Sequence, residues 1–367
     1  MDPLEVLPEE VYEKIFKHLN KNDILQASLV SKYWYRVIGR SRRCMNKIAG
    51  FHVSFREMPD IKHYLESERQ YQHLHLFHDF NDIKHDSKIL RRLRSIVNKF
   101  AGSLVTLKSH IDIPRTSDLP KLKELEIYCS AFYQHNYCIE KLGLISRAKR
   151  LHKLTIHCSE LCKHSVKAAQ QNIKKIGSLK VLMIKDFYLL DGLSSENYKI
   201  EEFRLSGYSN VEWIPSYYEF FNSQQQSLKL IDCVMGFKQI AFFMENFPVL
   251  ETLIVRNETF DEEEMEELMA IDALKYPLNE SITTFGYFGF VFNGETDNLI
   301  SIFPKLRKLQ KLQLNFIDPK LTDSILDLKT VKTVEYCDID DLFPDYRRRV
   351  EQNIRNSTCK FIRIKNF

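Results

Sequence analysis

The hydrophobic positions of this chain recur in one short spacing, apolar-x-x-apolar-x-apolar. It reads Leu122, Leu125, Ile127 in LKELEI, Leu151, Leu154, Ile156 in LHKLTI, and Leu179, Leu182, Ile184 in LKVLMI. It returns as Leu250, Leu253, Val255 in LETLIV and as Leu309, Leu312, Leu314 in LQKLQL. The last two apolar residues of each copy stand two apart, which puts both on one face of a short strand. Weaker copies centre on Phe51, Leu74, Leu107, Phe203, Leu228, Phe285, Val334 and Ile362, giving thirteen copies whose centres lie 18 to 33 residues apart.

Between the copies the spacing turns helical. Residues 86–100 put Ile89, Leu93, Ile96, Val97 and Phe100 on one face, and 164–177 put Val166, Ile173 and Ile176 inward with Gly177 as the expected C-terminal stop. A further helix over 341–356 precedes the last strand. Seven residues after the first apolar position stand Cys129, Cys158, Asp186, Asn257 and Asp338, small polar side chains suited to a turn that leaves a strand. A strand-helix unit of this size cannot bury its apolar face alone, so neighbouring copies must cover one another. With Asn or Cys in the turn slot, the array resembles leucine-rich repeats, whose period is about 20 to 29 residues. That resemblance implies an α/β solenoid over residues 46–367, with parallel strands inside, helices outside and about 13 irregular repeats.

Residues 7–19, LPEEVYEKIFKHL, follow a different pattern. Val11, Ile15, Phe16 and Leu19 share one helical face, Pro8 starts the helix, and Lys17 and His18 lie near its negative end. Two short helices follow, capped by Asn22 and Ser31, with Leu25, Ser28, Leu29 and then Trp34, Val37, Ile38 aligned. Three helices in so few residues bury too little surface to stand alone. Leu7, Pro8, Glu10, Val11, Ile15, Phe16, Leu19, Asp23, Ile24, Ala27, Leu29, Val30, Ser31, Lys32 and Trp34 together resemble an F-box over residues 1–45, with Ile24 where leucine is more usual. The resemblance implies docking on a Skp-type adaptor and, through it, a cullin. It assigns Leu7, Pro8, Ile15, Phe16, Leu19, Leu25, Leu29, Val30 and Trp34 to adaptor contact or to the folding that supports it. The isolated chain should leave part of the 7–19 stripe uncovered.

Composition narrows the alternatives. A net charge of +4 on 367 residues is too balanced for a nucleic-acid binder, and 11 glycines are few for folds built on glycine-rich phosphate loops. No apolar run is long enough for a bilayer span, and the acidic start lacks the blocks of a secretory signal. Eight irregularly spaced cysteines fit reduced thiols in the cytoplasm or nucleus. His157, Cys158, Cys162 and His164 are close in sequence, but Cys158 falls in the turn slot and no second pair follows, so no metal is expected. Neither catalytic nor cofactor signatures occur. The basic clusters at 39–47 and 346–349 and the acidic run at 261–268 read as solvated helix faces.

The strand positions that alternate with the inward ones should form the concave face. Basic residues hold nine of those 39 positions and acids four, Glu124, Glu126, Glu202 and Glu335. Lys108, Tyr128, Lys153, His157, Lys185, Arg204, Lys229, Arg256 and Lys311 are therefore the candidate substrate contacts, suited to an acidic or phosphorylated segment of a protein. The combined reading is a non-catalytic substrate receptor of a Skp/cullin/F-box ubiquitin ligase without a cofactor. A Skp-binding scaffold that does not lead to degradation, and a receptor that needs a small molecule in the repeat cavity, are the other readings of the same architecture.

Overall fold

Most strands of this protein, the third to the twelfth, are preceded, three positions before their central residue, by a buried aliphatic side chain. Leu104, Leu122 and Leu151 fill this slot in the N-terminal half, and Ile200, Leu228, Leu250, Ile282 and Leu309 fill it in the C-terminal half. They seat the turn from which the strand starts. The structure, a computed structural model, describes residues 6–41, 43–44, 51–52, 65–66, 70–76, 87–110, 116–129, 143–158, 163–185, 187–193, 197–205, 213–257, 276–289, 293–337 and 344–364. It divides into two units, Met1–Leu179 and Lys180–Phe367.

The first unit begins with three helices, α1 (Glu9–His18), α2 (Lys21–Ala27) and α3 (Lys32–Arg40). The strands β1 (Phe51–His52), β2 (His73–Leu76), β3 (Thr106–Ser109), β4 (Glu124–Cys129) and β5 (Lys153–Cys158) follow, with α4 (Ser87–Phe100) between β2 and β3 and α5 (Lys163–Ile173) after β5. The strands pair in parallel with their neighbours in chain order. Leu74, Leu107, Leu125 and Leu154 lie in one register row and Leu76, Ser109, Ile127 and Ile156 in the next, all buried. Against these rows α4 buries Leu93, Ile96, Val97 and Phe100. The helix predicted over 164–177 stops at Ile173, ahead of Gly177.

The second unit contains β6 (Val181–Ile184), β7 (Glu202–Leu205), β8 (Leu230–Val234), β9 (Thr252–Asn257), β10 (Thr284–Gly289), β11 (Lys311–Leu314), β12 (Thr333–Tyr336) and β13 (Lys360–Arg363). Its helices are α6 (Pro215–Asn222), α7 (Phe237–Asn246), α8 (Asn293–Ile302), α9 (Pro319–Leu326) and α10 (Pro344–Asn356). These strands too are parallel and paired in chain order. The core behind them is largely aromatic. Phe203 meets Phe221 edge to face at 5.1 Å, Phe221 meets Phe243 at 5.0 Å, and Phe243 meets Phe247 at 4.9 Å. Such pairs add to the burial of their large surfaces.

Two copies sit differently from the expected threading. Phe203, Ile231 and Leu253 share one register row, so the eighth copy centres on Ile231 and not on Leu228. Leu228, three positions earlier, is the buried residue of the preceding turn. At the other end Val334 pairs with Phe361, so the last copy centres on Phe361 and not on Ile362. A one-residue slip exchanges the faces of a strand. Arg363 accordingly aligns with Tyr336, outside the row first assigned to it. β13 pairs with β12 alone among the described strands, and its Lys360 and Arg363 are exposed. The turn-slot residues Cys129, Cys158 and Asn257 are the last paired residues of their strands, while Asp186 and Asp338 lie outside the described residues. So do Cys162 and the acidic run at 261–268.

Candidate functional site

In most strands the alternation buries one side and leaves the other half-exposed, and most of the charges on that second side are paired. In the first unit Glu126 on β4 is the centre. Lys108 Nζ of β3 lies 2.6 Å from one carboxylate oxygen and His157 Nε2 of β5 lies 3.3 Å from the other, which also accepts a hydrogen bond from the Tyr128 hydroxyl. Burial alone would raise the Glu126 pKa, but the hydrogen bonds from Lys108 and Tyr128 and the nearby charges outweigh it and hold the carboxyl below its ordinary value. The Tyr128 hydroxyl is pushed the opposite way, by burial and then by its bond to Glu126.

Above this network the rings stack across the strands. His110 and Tyr128 lie 3.9 Å apart and nearly parallel, Tyr128 and His157 lie 4.4 Å apart, and His75 tilts against His110 at 5.6 Å. The neighbour spacing of a sheet, about 4.8 Å, sets this ladder up wherever rings occupy one register row. Lys153 is half-buried on β5 and registers with Glu124.

In the second unit Asp232 on β8 is almost fully buried and holds Arg256 of β9 through two hydrogen bonds, Nε at 2.6 Å and a terminal nitrogen at 3.2 Å. The Arg256 guanidinium also lies 5.5 Å from the centre of the Phe288 ring. Arg204 of β7 stands 3.9 Å from Asp232 and 3.7 Å from Glu202. Further along, Lys311 and Glu335 are 2.8 Å apart, and Gln313 donates to Glu335 at 2.7 Å. Burial opposes ionisation of Glu335, yet Lys311 and Gln313 lower its pKa overall. Lys185 is exposed at the end of β6.

Lys229 leaves the candidate set, because the corrected register puts it before β8. Its backbone bridges Glu201 and Glu251, and its ammonium lies 3.2 Å from the Glu201 carboxylate. Asp232 takes a place on this face that the sequence reading did not give it. The face is therefore a mosaic of ion pairs, with less net positive charge than the count of basic residues implied. Among the described residues no group of three or more His, Cys, Asp or Glu side chains is arranged to hold a metal ion, and no helix is long and apolar enough to cross a membrane.

The three N-terminal helices make a second candidate site. Pro8 precedes α1 as its N-cap residue. Asn20, not Asn22, caps α2 through a reciprocal pair in which Asn20 Oδ1 accepts from the Asp23 amide at 3.0 Å and Asp23 accepts from the Asn20 amide at 3.2 Å. Ser31 caps α3 by accepting from the Trp34 amide at 3.2 Å. The helices close on Phe16, Ile24, Val37, Ile38 and Cys44, all buried, with Leu7, Tyr12, Leu19, Leu25, Tyr33 and Trp34 packed around them. Outside that core Val11 and Ile15, one turn apart on α1, are exposed. Leu29 and Val30, in the turn after α2, are 77% and 68% exposed.

The family described as F-box-like matches residues 4–44. The N-terminal helices are an F-box-like domain. No curated protein matches the chain. Domains of this family generally bind a Skp-type adaptor and belong to non-catalytic subunits of ubiquitin ligases. Within the F-box-like domain the nine predicted residues separate by exposure. Pro8, Ile15, Leu29 and Val30 face solvent, Leu7, Leu19, Leu25 and Trp34 are half-buried, and Phe16 is wholly inside, 6.3 Å from the Trp34 ring. Val6 is also exposed and was not among the predicted residues; its aliphatic side chain next to the Leu7-Pro8 pair was the available signal.

Proposed function

We propose that this chain is the substrate-recognition subunit of a Skp/cullin/F-box ubiquitin ligase. The F-box-like domain, residues 1–45, docks on a Skp-type adaptor and through it on a cullin. Residues 46–367 form a leucine-rich-repeat solenoid whose half-exposed strand face captures a protein for ubiquitination. The observation that carries the reading is the exposure of Leu29 and Val30 on a matched F-box-like domain whose own core is already filled by Phe16, Ile24 and Ile38. Exposed aliphatic side chains beside a complete core are the mark of a surface that another protein covers. Parallel strands in chain order, most of them led by a buried aliphatic residue, support the repeat reading. Buried cysteines at positions 44 and 233 fit a reducing compartment, cytoplasm or nucleus.

Affinity capture of the full chain tests this. Adaptor and cullin should co-purify, and both should be lost with Leu29→Asp and Val30→Asp together. Recovery of the adaptor without cullin would favour a scaffold that does not lead to degradation, and unchanged recovery from the double variant would refute the docking surface.

A further inference from the structure

The ion pairs of the strand face differ in how completely they use their donors. Asp232 has both oxygens within hydrogen-bond distance of Arg256. Arg204 reaches the same carboxylate only at 3.9 Å and Glu202 only at 3.7 Å, beyond hydrogen-bond range for either. Two guanidinium groups thus share one buried carboxylate, and the other acid, Glu202, has a side chain 42% exposed, where water screens it. At these distances the Arg204 donors make no hydrogen bond to either acid, which leaves them available to a further anion.

Apolar side chains lie on the strands around Arg204 and its acids. Met183 registers beside it on β6, and beyond Asp232 the same row continues to Ile254 on β9. Leu230 lies in the adjacent row, and all three apolar side chains are half-exposed. A guanidinium in such a setting forms stronger hydrogen bonds to an anion than one surrounded by water.

We infer that Arg204, flanked by Met183 and Ile254, is the recognition point for an acidic residue in an extended apolar segment of the captured protein. This rests on the substrate-receptor reading above and names the chemistry of its substrate. The row spacing sets the pattern. Met183 is one strand from Arg204, about 5 Å, and Ile254 is two strands away on the other side, about 10 Å. An extended segment that crosses the strands rises about 3.3 Å per residue. The acid is therefore followed on one side by an apolar residue one or two positions away and on the other by one about three positions away.

The test uses the full chain bound to its Skp-type adaptor and two immobilised libraries of degenerate dodecapeptides, one with aspartate fixed at the centre and one with asparagine. The aspartate library should retain the protein about tenfold better, with apolar residues selected at the stated offsets. Arg204→Met, which keeps the apolar stem, should remove the preference while the melting temperature and adaptor binding stay as in the parent. Equal retention by both libraries, or a preference that survives Arg204→Met, overturns the inference. The receptor reading fails separately: it falls if Leu29→Asp with Val30→Asp leaves adaptor recovery unchanged, whatever the libraries show.

Discussion

Tyr71 packs against the buried core of the F-box-like domain and at the same time meets Phe100 of α4 edge to face, with ring centres 4.9 Å apart. Its carbonyl accepts a hydrogen bond from Ser103 at 2.8 Å. One residue therefore ties the F-box-like domain to α4 and to the turn before β3.

Tyr71→Ala should cost about 3 kcal/mol, the usual loss for an aromatic side chain at a packed junction. Amide exchange around Phe16 and Ile38 should speed up while β4 and β5 stay protected. Urea denaturation with hydrogen exchange measures both, and uniform loss of protection would show that the junction is not local.

Within the F-box-like domain, exposure separates binding from folding. Phe16→Ala should destabilise the protein by about 3–5 kcal/mol, because it empties the centre of a small core. Leu29→Asp should leave the melting temperature nearly unchanged and weaken adaptor binding by more than tenfold. Thermal melts and a binding titration distinguish the two.

Acid should loosen the first unit through Glu126. Its folded-state pKa is depressed, so its stabilising contribution is complete above the unfolded carboxylate value of about 4.3 and is lost as pH falls through the folded value. Melting temperatures taken between about pH 6 and pH 3 should fall less steeply for Glu126→Gln than for the parent. Identical slopes would show that the Lys108, Tyr128 and His157 contacts do not favour the ionised form.

The corrected register of β8 is testable by paired substitutions. Ile231→Ala should cost about 2–5 kcal/mol as a fully buried aliphatic residue, whereas Lys229→Ala, at an exposed ion pair, should cost less than about 1 kcal/mol. Chemical denaturation decides it, and equal losses would contradict the register.

Much of this fold could be read from spacing alone, since the copies around Leu125, Leu154, Leu253 and Leu312 repeat a strand period that has one solution. Two segments admit two solutions, and there the spacing does not decide. In QSLKLIDC, Leu228 serves either as the centre of a copy or as its opening residue, and only pairing with Phe203 and Leu253 decides for Ile231. In CKFIRI, Phe361 and Ile362 are both apolar, so either could face inward. The charge of the strand face was harder to foresee. A lysine or arginine reads as basic until the carboxylate on the next strand is known, and Asp232 lies 24 residues from Arg256. In the N-terminal helices Ser31 was legible as a cap, but Asn20 took the role expected of Asn22, because Asp23 completes a reciprocal pair only with it.

The outer edge of β13 has a consequence for how copies of this protein meet one another. An unpaired strand edge is a template for joining another chain, and cationic side chains on it discourage that. With Lys360 and Arg363 exposed on β13, two such edges brought together would set like charges against each other. Edge-to-edge pairing of two copies through β13 is thereby disfavoured by repulsion between these cations.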